Sequence, residues 1–239
     1  VAIKSGARAI LDLRAGEVMH PGVGPVEEAE QLYVRQSRLR ERLQSSGGTL
    51  TVFDVGLGAG SNAVAAWRAA QETGPEGARL ELVSFERDLG ALRLALTDSE
   101  APHFGLTGEV ADAARALLEH GLHETPRARW RLILGELPDT LSKAPAAADV
   151  VFWDLYSPRN NPTLWTMSAF AKLKAHCAPR CTLFTYSQAT ASRAALLLAG
   201  WNVGFGEAVG EKAHTTTAAL RLDDLASPLD ARWLELLAS

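Results

Sequence analysis

The stretch Thr51-Val52-Phe53-Asp54-Val55-Gly56-Leu57-Gly58-Ala59-Gly60-Ser61-Asn62 constrains this chain more than any other. A short apolar run ends in an acid, three glycines follow at alternate positions, and Asn62-Ala63-Val64-Ala65-Ala66-Trp67 begins a good helix. The pattern reads as strand, tight turn and helix N-terminus. Glycine suits a backbone that takes positive φ or lies against a ligand with no Cβ in the way. A helix start offers unpaired N–H groups to a polar or negative ligand. Together these describe the first nucleotide-binding loop of a doubly wound sheet.

The spacing narrows the choice of nucleotide. A dinucleotide loop runs G-x-G-x-x-G, whereas this one runs G-x-G-x-G with Asp54 two residues ahead. The shorter form resembles the loop of S-adenosylmethionine (SAM) enzymes, so Asp54, Gly56, Gly58, Gly60 and Asn62 are expected at a SAM site. A second strand, Leu80-Glu81-Leu82-Val83-Ser84-Phe85-Glu86, also ends in an acid. Glu86 stands where a ribose-binding carboxylate belongs. An ordinary exposed acid at a strand end is the plainer alternative, and the pairing with the glycine loop disfavours it.

From Thr49 onward strands and helices alternate, which implies a parallel sheet. The strands read at 50–55, 80–86, 130–134, 150–154 and 181–186. A closing antiparallel pair reads at 202–206 and 218–222, with Gly210-Glu211-Lys212 between. Helices read at 62–73, 89–96, 111–120, 168–175, 189–198 and 230–237. Ahead of them lie a hairpin around Arg14-Ala15-Gly16, a His20-to-Pro25 breaker loop and a helix from Pro25 to about Gln44. Val26, Ala29, Tyr33, Leu39 and Leu43 would form that helix's inner face. Arg35, Arg38, Arg40 and Arg42 read as a solvated face, or as a phosphate-contacting patch. The expected fold is α/β and Rossmann-like: a mostly parallel seven-stranded sheet, a terminal antiparallel hairpin and an N-terminal strand/helix extension. The boundaries are 1–48 for the extension and 49–239 for the SAM-binding domain.

At 47% hydrophobic, the 239 residues can bury a full core. A net charge of −4 gives no global basic field for nucleic acid. The two cysteines, Cys177 and Cys181, form no disulfide framework and suit a reducing compartment. With His176 they make too few ligands for a structural zinc, so no metal is expected. No apolar run reaches membrane-spanning length and the start lacks a signal-peptide pattern, so a cytoplasmic protein away from the membrane is expected.

Ligands of open α/β sheets bind beyond the carboxyl ends of the strands. Acids stand at four of these ends: Asp54, Glu86, Glu136 and Asp154. Glu136 can accept from an adenine amino group, or simply favour a helix start. Asp154 opens Asp154-Leu155-Tyr156-Ser157-Pro158-Arg159-Asn160-Asn161-Pro162. Amino-group methyltransferases carry a similar acid and aromatic turn. An amine must aim its lone pair at the methyl carbon, and an acceptor on its N–H bonds does the aiming. An aromatic face holds a cation or a flat base. Asp154 and Tyr156 supply both, and are the catalytic candidates. His20 reads as a lid residue or as merely exposed.

Further motifs sharpen the likeness. Gly56-x-Gly58-x-Gly60-x-Asn62, Asp154 with Ser157-Pro158, and Asn161-Pro162-Thr163-Leu164-Trp165-Thr166 resemble the methyltransferase domain of the tRNA 5-methylaminomethyl-2-thiouridine biosynthesis (MnmC-like) family. Gly24 with Glu27-Glu28 resembles its G-x-E-E, which would put Glu28 at the cofactor. Tyr156 replaces the family's usual phenylalanine. The resemblance implies SAM as cofactor, the aminomethyl group of a modified wobble uridine in tRNA as acceptor, Asp154 orienting the amine and Glu86 binding ribose. Bifunctional members add a flavin oxidoreductase domain, which this chain is too short to hold, so a separate enzyme would supply the aminomethyl precursor. A small-molecule N- or O-methyltransferase and a catalytically silent SAM-binding module are the rival readings; nothing in the sequence fixes the oligomeric state.

Overall fold

The computed structural model describes residues 1–45, 47–73, 76–208 and 214–238. A small ribbon comes first, β1 (Leu11–Asp12) paired antiparallel with β2 (Glu17–Val18). The expected N-terminal helix is three pieces: α1 (Pro25–Glu28), a π-helix (Ala29–Arg35) and α2 (Leu39–Ser45). The interruption has a packing cause. Leu32, Tyr33 and Val34 are all buried, and three consecutive residues cannot share one face of an α-helix. The wider π turn brings them inward together. Arg38, at φ 53, then breaks the chain before α2. Val26, expected inside, is 40% exposed.

The body continues β3 (Thr49–Val55), α3 (Ser61–Gln71), β4 (Arg79–Glu86), α4 (Gly90–Ala95), α5 (Glu109–His120), β5 (Leu122–Glu124), β6 (Ala128–Leu134), β7 (Ala148–Trp153), α6 (Met167–Lys174), β8 (Cys177–Thr185), α7 (Thr190–Leu198), β9 (Asn202–Gly206), β10 (Thr215–Ala219) and α8 (Ala231–Ala238). The sheet order is β5-β6-β4-β3-β7-β8-β10-β9. Strands β6, β4, β3, β7 and β8 run parallel, and β10 pairs antiparallel with both β8 and β9. Eight strands stand where seven were expected. The extra one, β5, is a three-residue antiparallel edge that Gly121, at φ 70 after α5, folds back along β6. The last strand lies at 215–219 rather than 218–222, and the turn read at 210–212 falls outside the described residues.

Side chains of the central strands sort by parity. Leu50, Val52, Leu80, Leu82, Val150 and Phe152 join a core under the N-terminal helices, α3 and α5. Phe53, Val55, Val83, Phe85, Val151 and Trp153 join the core under α6 and α7. Strands buried on both faces carry no polar stripe, as parallel sheets require. The chain runs outward from β3 through β4 to β6, then returns to place β7 on the other side of β3. That reversal opens a crevice at the carboxyl ends of β3, β4 and β7. Among the described residues no helix is long and apolar enough to cross a membrane.

Candidate active site

The glycine turn after β3 is pinned at both sides. Gly56 and Leu57 donate their N–H groups to the Phe85 carbonyl at 3.1 and 3.3 Å, and Asp154 donates its N–H to the Val55 carbonyl at 2.9 Å. Gly56 has φ 91, and a Cβ there would stand 2.6 Å from the Asp154 carbonyl oxygen. Only glycine lets this turn lie against the end of β7. Gly58 lies across the crevice from Met19 Sδ, 3.5 Å from where its Cβ would be.

A cavity of about 1310 Å³ opens here, with Gly56, Gly58, Glu86, Glu136, Asp154, Tyr156 and Glu28 in its wall. The β1–β2 ribbon supplies the opposite wall. Seven carboxylates line it, those of Asp12, Glu17, Glu28, Glu86, Asp88, Glu136 and Asp154, against the guanidinium groups of Arg14 and Arg87. Such a wall favours a cationic ligand and opposes a pyrophosphate. Glu86 is fixed by backbone donors: Oε2 accepts from Gly58 N at 2.9 Å, and Oε1 from Arg87 N and Asp88 N at 2.7 and 3.1 Å. Carboxylate oxygens keep spare acceptor capacity after such bonds. Glu136 is largely exposed, 4.0 Å from Arg87.

Asp154 sits at the buried end of the crevice. Asn62 Nδ2 donates to its Oδ2 at 2.6 Å, the fully buried Tyr33 hydroxyl faces it, and His20 Nε2 stands 3.7 Å from Oδ2. Burial pushes the Asp154 carboxyl up; His20 pulls it back, Glu28 pushes again, and Asn62 and Tyr33 hold it down. The Asp154 loop is tied to the ribbon. Tyr156 donates its hydroxyl to Asp12 Oδ2 at 2.7 Å, and Glu17 accepts from Ser157 N and Oγ at 3.1 and 3.0 Å and from Asn160 Nδ2. Asp12 and Glu17 are direct cross-strand partners, a repulsive pairing that these donors offset.

Residues 111–221 match a family described as S-adenosyl-L-methionine-dependent methyltransferase. The tRNA 5-methylaminomethyl-2-thiouridine biosynthesis bifunctional protein MnmC of Hahella chejuensis (strain KCTC 2396) is 31% identical over 216 residues, 86% of this chain and 34% of that protein. Its counterpart in Ectopseudomonas mendocina (strain ymp) is 29% identical over 230 residues, 91% of this chain and 34% of that protein. The crystal structure of MnmC2 from Aquifex aeolicus superposes with a TM-score of 0.80 at 24% identity, covering 100% of this chain and 75% of that one, and so shares its fold. The chain is an MnmC-like, SAM-dependent methyltransferase domain. It spans about a third of the length of the curated relatives it matches.

The residues of this methyltransferase domain fit SAM: the wall is acidic, Glu86 presents fixed acceptors, and Gly58 leaves the backbone bare. Three residues expected at the cofactor lie behind the wall. Gly60, at φ 90, caps α3, and a Cβ there would meet Leu92 Cδ1 at 3.2 Å. Asn62 holds Asp154 from below. Asp54 is fully buried; Ser84 Oγ donates to its Oδ2 at 2.7 Å, Trp130 Nε1 donates to Ser84 Oγ at 2.9 Å, and its Oδ1 has no partner. Burial, with the Asp154 and Glu86 charges adding, pushes the Asp54 carboxyl up to about 7 against the Ser84 bond.

A raised carboxyl pKa means the native state keeps a proton that the unfolded chain has lost. Stability therefore falls as pH rises from about 4 to about 7, by ~1.4 kcal/mol per pH unit from this group. Asp54→Asn keeps the Ser84 bond and should remove this downward slope in urea titrations across that range. An unchanged slope would mean that Asp54 folds ionised.

His20, Tyr33, Asp12 and Glu17 complete the site; sequence reasoning gave Tyr33, Asp12 and Glu17 no role there and left His20 as a lid residue or as merely exposed. His20, Glu28 and Asp154 side chains are only 13%, 6% and 8% exposed. The one local signal was the ribbon register, which sets two acids opposite each other. Of the arginines near the N-terminus, Arg35 pairs with Glu207, Arg40 with Glu30 and Glu72, and burial pushes the Arg42 guanidinium down. Ala78, leading into β4, donates its N–H to the Leu43 carbonyl at 2.7 Å, which places α2 at the strands' amino ends, away from the cavity.

Proposed function

We propose that this domain methylates the aminomethyl nitrogen of a modified wobble uridine in tRNA. The observation that carries the reading is Asp154: a buried carboxylate, held by Asn62, facing an acidic cavity of about 1310 Å³. Drug-sized ligand pockets run to roughly 1,000 Å³, so there is room for a cofactor and an acceptor together. The tRNA acceptor is the chemistry in the names of the MnmC relatives. Bound SAM supplies an electrophilic methyl on a sulfonium.

In this reading Glu86 accepts from the ribose hydroxyls, Glu136 from the adenine amino group, and Gly56 and Gly58 leave room for the cofactor's backbone-facing edge. Asp54 and Asn62 support that wall from behind, Gly60 sets the start of α3, and Glu28 adds charge beside the sulfonium. Asp154 orients the amine, and Tyr156, anchored on Asp12, gives the acceptor base a flat wall. Residues 1–48 extend the 49–239 domain and close its cavity. A separate enzyme supplies the aminomethyl precursor, and the reaction takes place in the cytoplasm with tRNA.

Incubation with SAM and tRNA bearing the unmethylated aminomethyl nucleoside, followed by nucleoside mass spectrometry, tests the reading. A nucleoside heavier by one methyl is expected; none, from a chain that binds SAM, would overturn it. Glu86→Ala should weaken SAM binding by about one to two decades, the cost of a lost charged acceptor being roughly 1.5–3 kcal/mol. Calorimetry reads this directly, and an unchanged dissociation constant would place Glu86 outside the SAM site.

A further inference from the structure

His20 lies between two buried carboxylates contributed by different parts of the fold. Its Nδ1 stands 3.8 Å from Glu28 Oε1 on α1, and its Nε2 stands 3.7 Å from Asp154 Oδ2 beyond β7. The residue takes φ 53, a left-handed conformation that a histidine adopts only at a cost. The turn thus holds a strained backbone that keeps the imidazole between the acids. Tyr33 from the π-helix faces the same carboxylate, Asp54 at the end of β3 feels the His20 charge, and Tyr186 beyond β8 feels those of Asp154 and Glu28.

We propose that His20 is a positioning residue that steadies Asp154 and takes over the proton Asp154 removes from the acceptor amine, with Glu28 balancing the resulting imidazolium. The proposal rests on the amine acceptor named above. A primary amine near neutral pH is mostly an ammonium with no lone pair to give. Asp154 Oδ2 accepts one N–H proton, and the freed pair forms the new N–C bond as the C–S bond breaks. The C–S electrons stay on sulfur, and the product is an N-methyl ammonium. The proton on Asp154 passes to His20 Nε2 and then to solvent, so each turnover releases one proton. The 3.7 and 3.8 Å separations exceed hydrogen-bond length, and such contacts tighten when the reactants bind.

The left-handed backbone makes the test clean. Asparagine and glycine are the residues that best tolerate positive φ, so His20→Asn and His20→Gly keep the turn. In single-turnover methylation of tRNA by the full chain, both variants should lose about tenfold or more in rate with KM little changed. His20 pulls the Asp154 carboxyl down, so its loss should move the acid limb of the pH–rate profile upward. Added imidazole should restore part of the rate to His20→Gly alone. A second readout needs no turnover. The ¹⁵N NMR titration of His20, assigned by its absence in His20→Asn, should show a lower midpoint in both Glu28→Gln and Asp154→Asn. Wild-type pH profiles in the variants, or a His20 midpoint unmoved by either carboxamide, would overturn the proposal. A wild-type chain inert towards tRNA would sink the acceptor reading instead, and the NMR midpoints would then decide on His20 alone.

Discussion

Replacing Asp154 by alanine is expected to cut the methyl-transfer rate by about 10²–10⁴-fold, the usual range for a lost proton acceptor, while SAM still binds. In the proposed reaction Asp154 has two tasks. It orients the amine, because its Oδ2 is fixed by Asn62 Nδ2 at 2.6 Å and cannot swing. It also takes a proton, because burial raises its carboxyl and so makes it a stronger base than an exposed aspartate. Asp154→Asn separates the tasks. It keeps an acceptor oxygen of the same shape and has no basic carboxylate. At neutral pH the asparagine variant should be nearly as slow as the alanine one. As pH rises and free amine accumulates, it should pull ahead. Single-turnover rates across pH read this, and wild-type rates in both variants would make Asp154 structural. Calorimetry separates the chemistry from binding, since the SAM dissociation constant should hardly move.

The second large effect is expected at Gly56. A Cβ there would sit 2.6 Å from a main-chain oxygen and 3.0 Å from the carbonyl carbon of Asp154, with φ at 91. No flexible side chain is available to give way, so the turn or the end of β7 must move. The conformational penalty alone is about 1–3 kcal/mol, and displacement of the strand end adds to it. Gly56→Ala should therefore lower the melting temperature by about 5–10 °C, at 2–4 °C per kcal/mol for a chain of this size. It should also abolish measurable SAM binding, because the same shift carries Gly58 N away from Glu86 and Asp154 away from Asn62. A variant that melts and binds as wild type would show the loop to be free of β7.

The parts of the site that sequence exposes are those with a local cause. The glycine turn, Glu86 and Asp154 each follow a strand whose apolar run ends visibly, so their place at the sheet's carboxyl edge is readable from neighbours in the chain. His20 meets Asp154 only because β7 returns beside β3, far along the chain, and no nearby residue announces it. Asp12 and Glu17 look like ordinary hairpin acids until Tyr156, Ser157 and Asn160 arrive opposite them. Strand β10 hides for another reason. Thr215 and Thr216 are buried, yet polar in sequence. Thr216 Oγ1 donates to the Ser187 carbonyl at 2.6 Å and accepts from Arg193 Nε at 2.9 Å. Satisfied hydroxyls pack like apolar groups, and hydrophobic patterning passes over them. The π-helix escaped because Val26, Ala29 and Tyr33 keep an α-helical spacing in sequence, and nothing local announces that Leu32 and Val34 are buried beside Tyr33.

The place of β10 has a consequence for how the protein is made. The strand is inserted between β8 and β9, so the inner edge of the sheet is completed by residues near the end of the chain. Until residue 219 leaves the ribosome, Thr182-Leu183-Phe184-Thr185 presents an unpaired edge that the finished fold buries. Such edges recruit other strands. A stalled or truncated product ending before residue 215 would thus carry an intact cofactor crevice beside an adhesive flank. Synthesis that slows between β8 and β10 should raise the yield of aggregate more than synthesis that slows between β3 and β7.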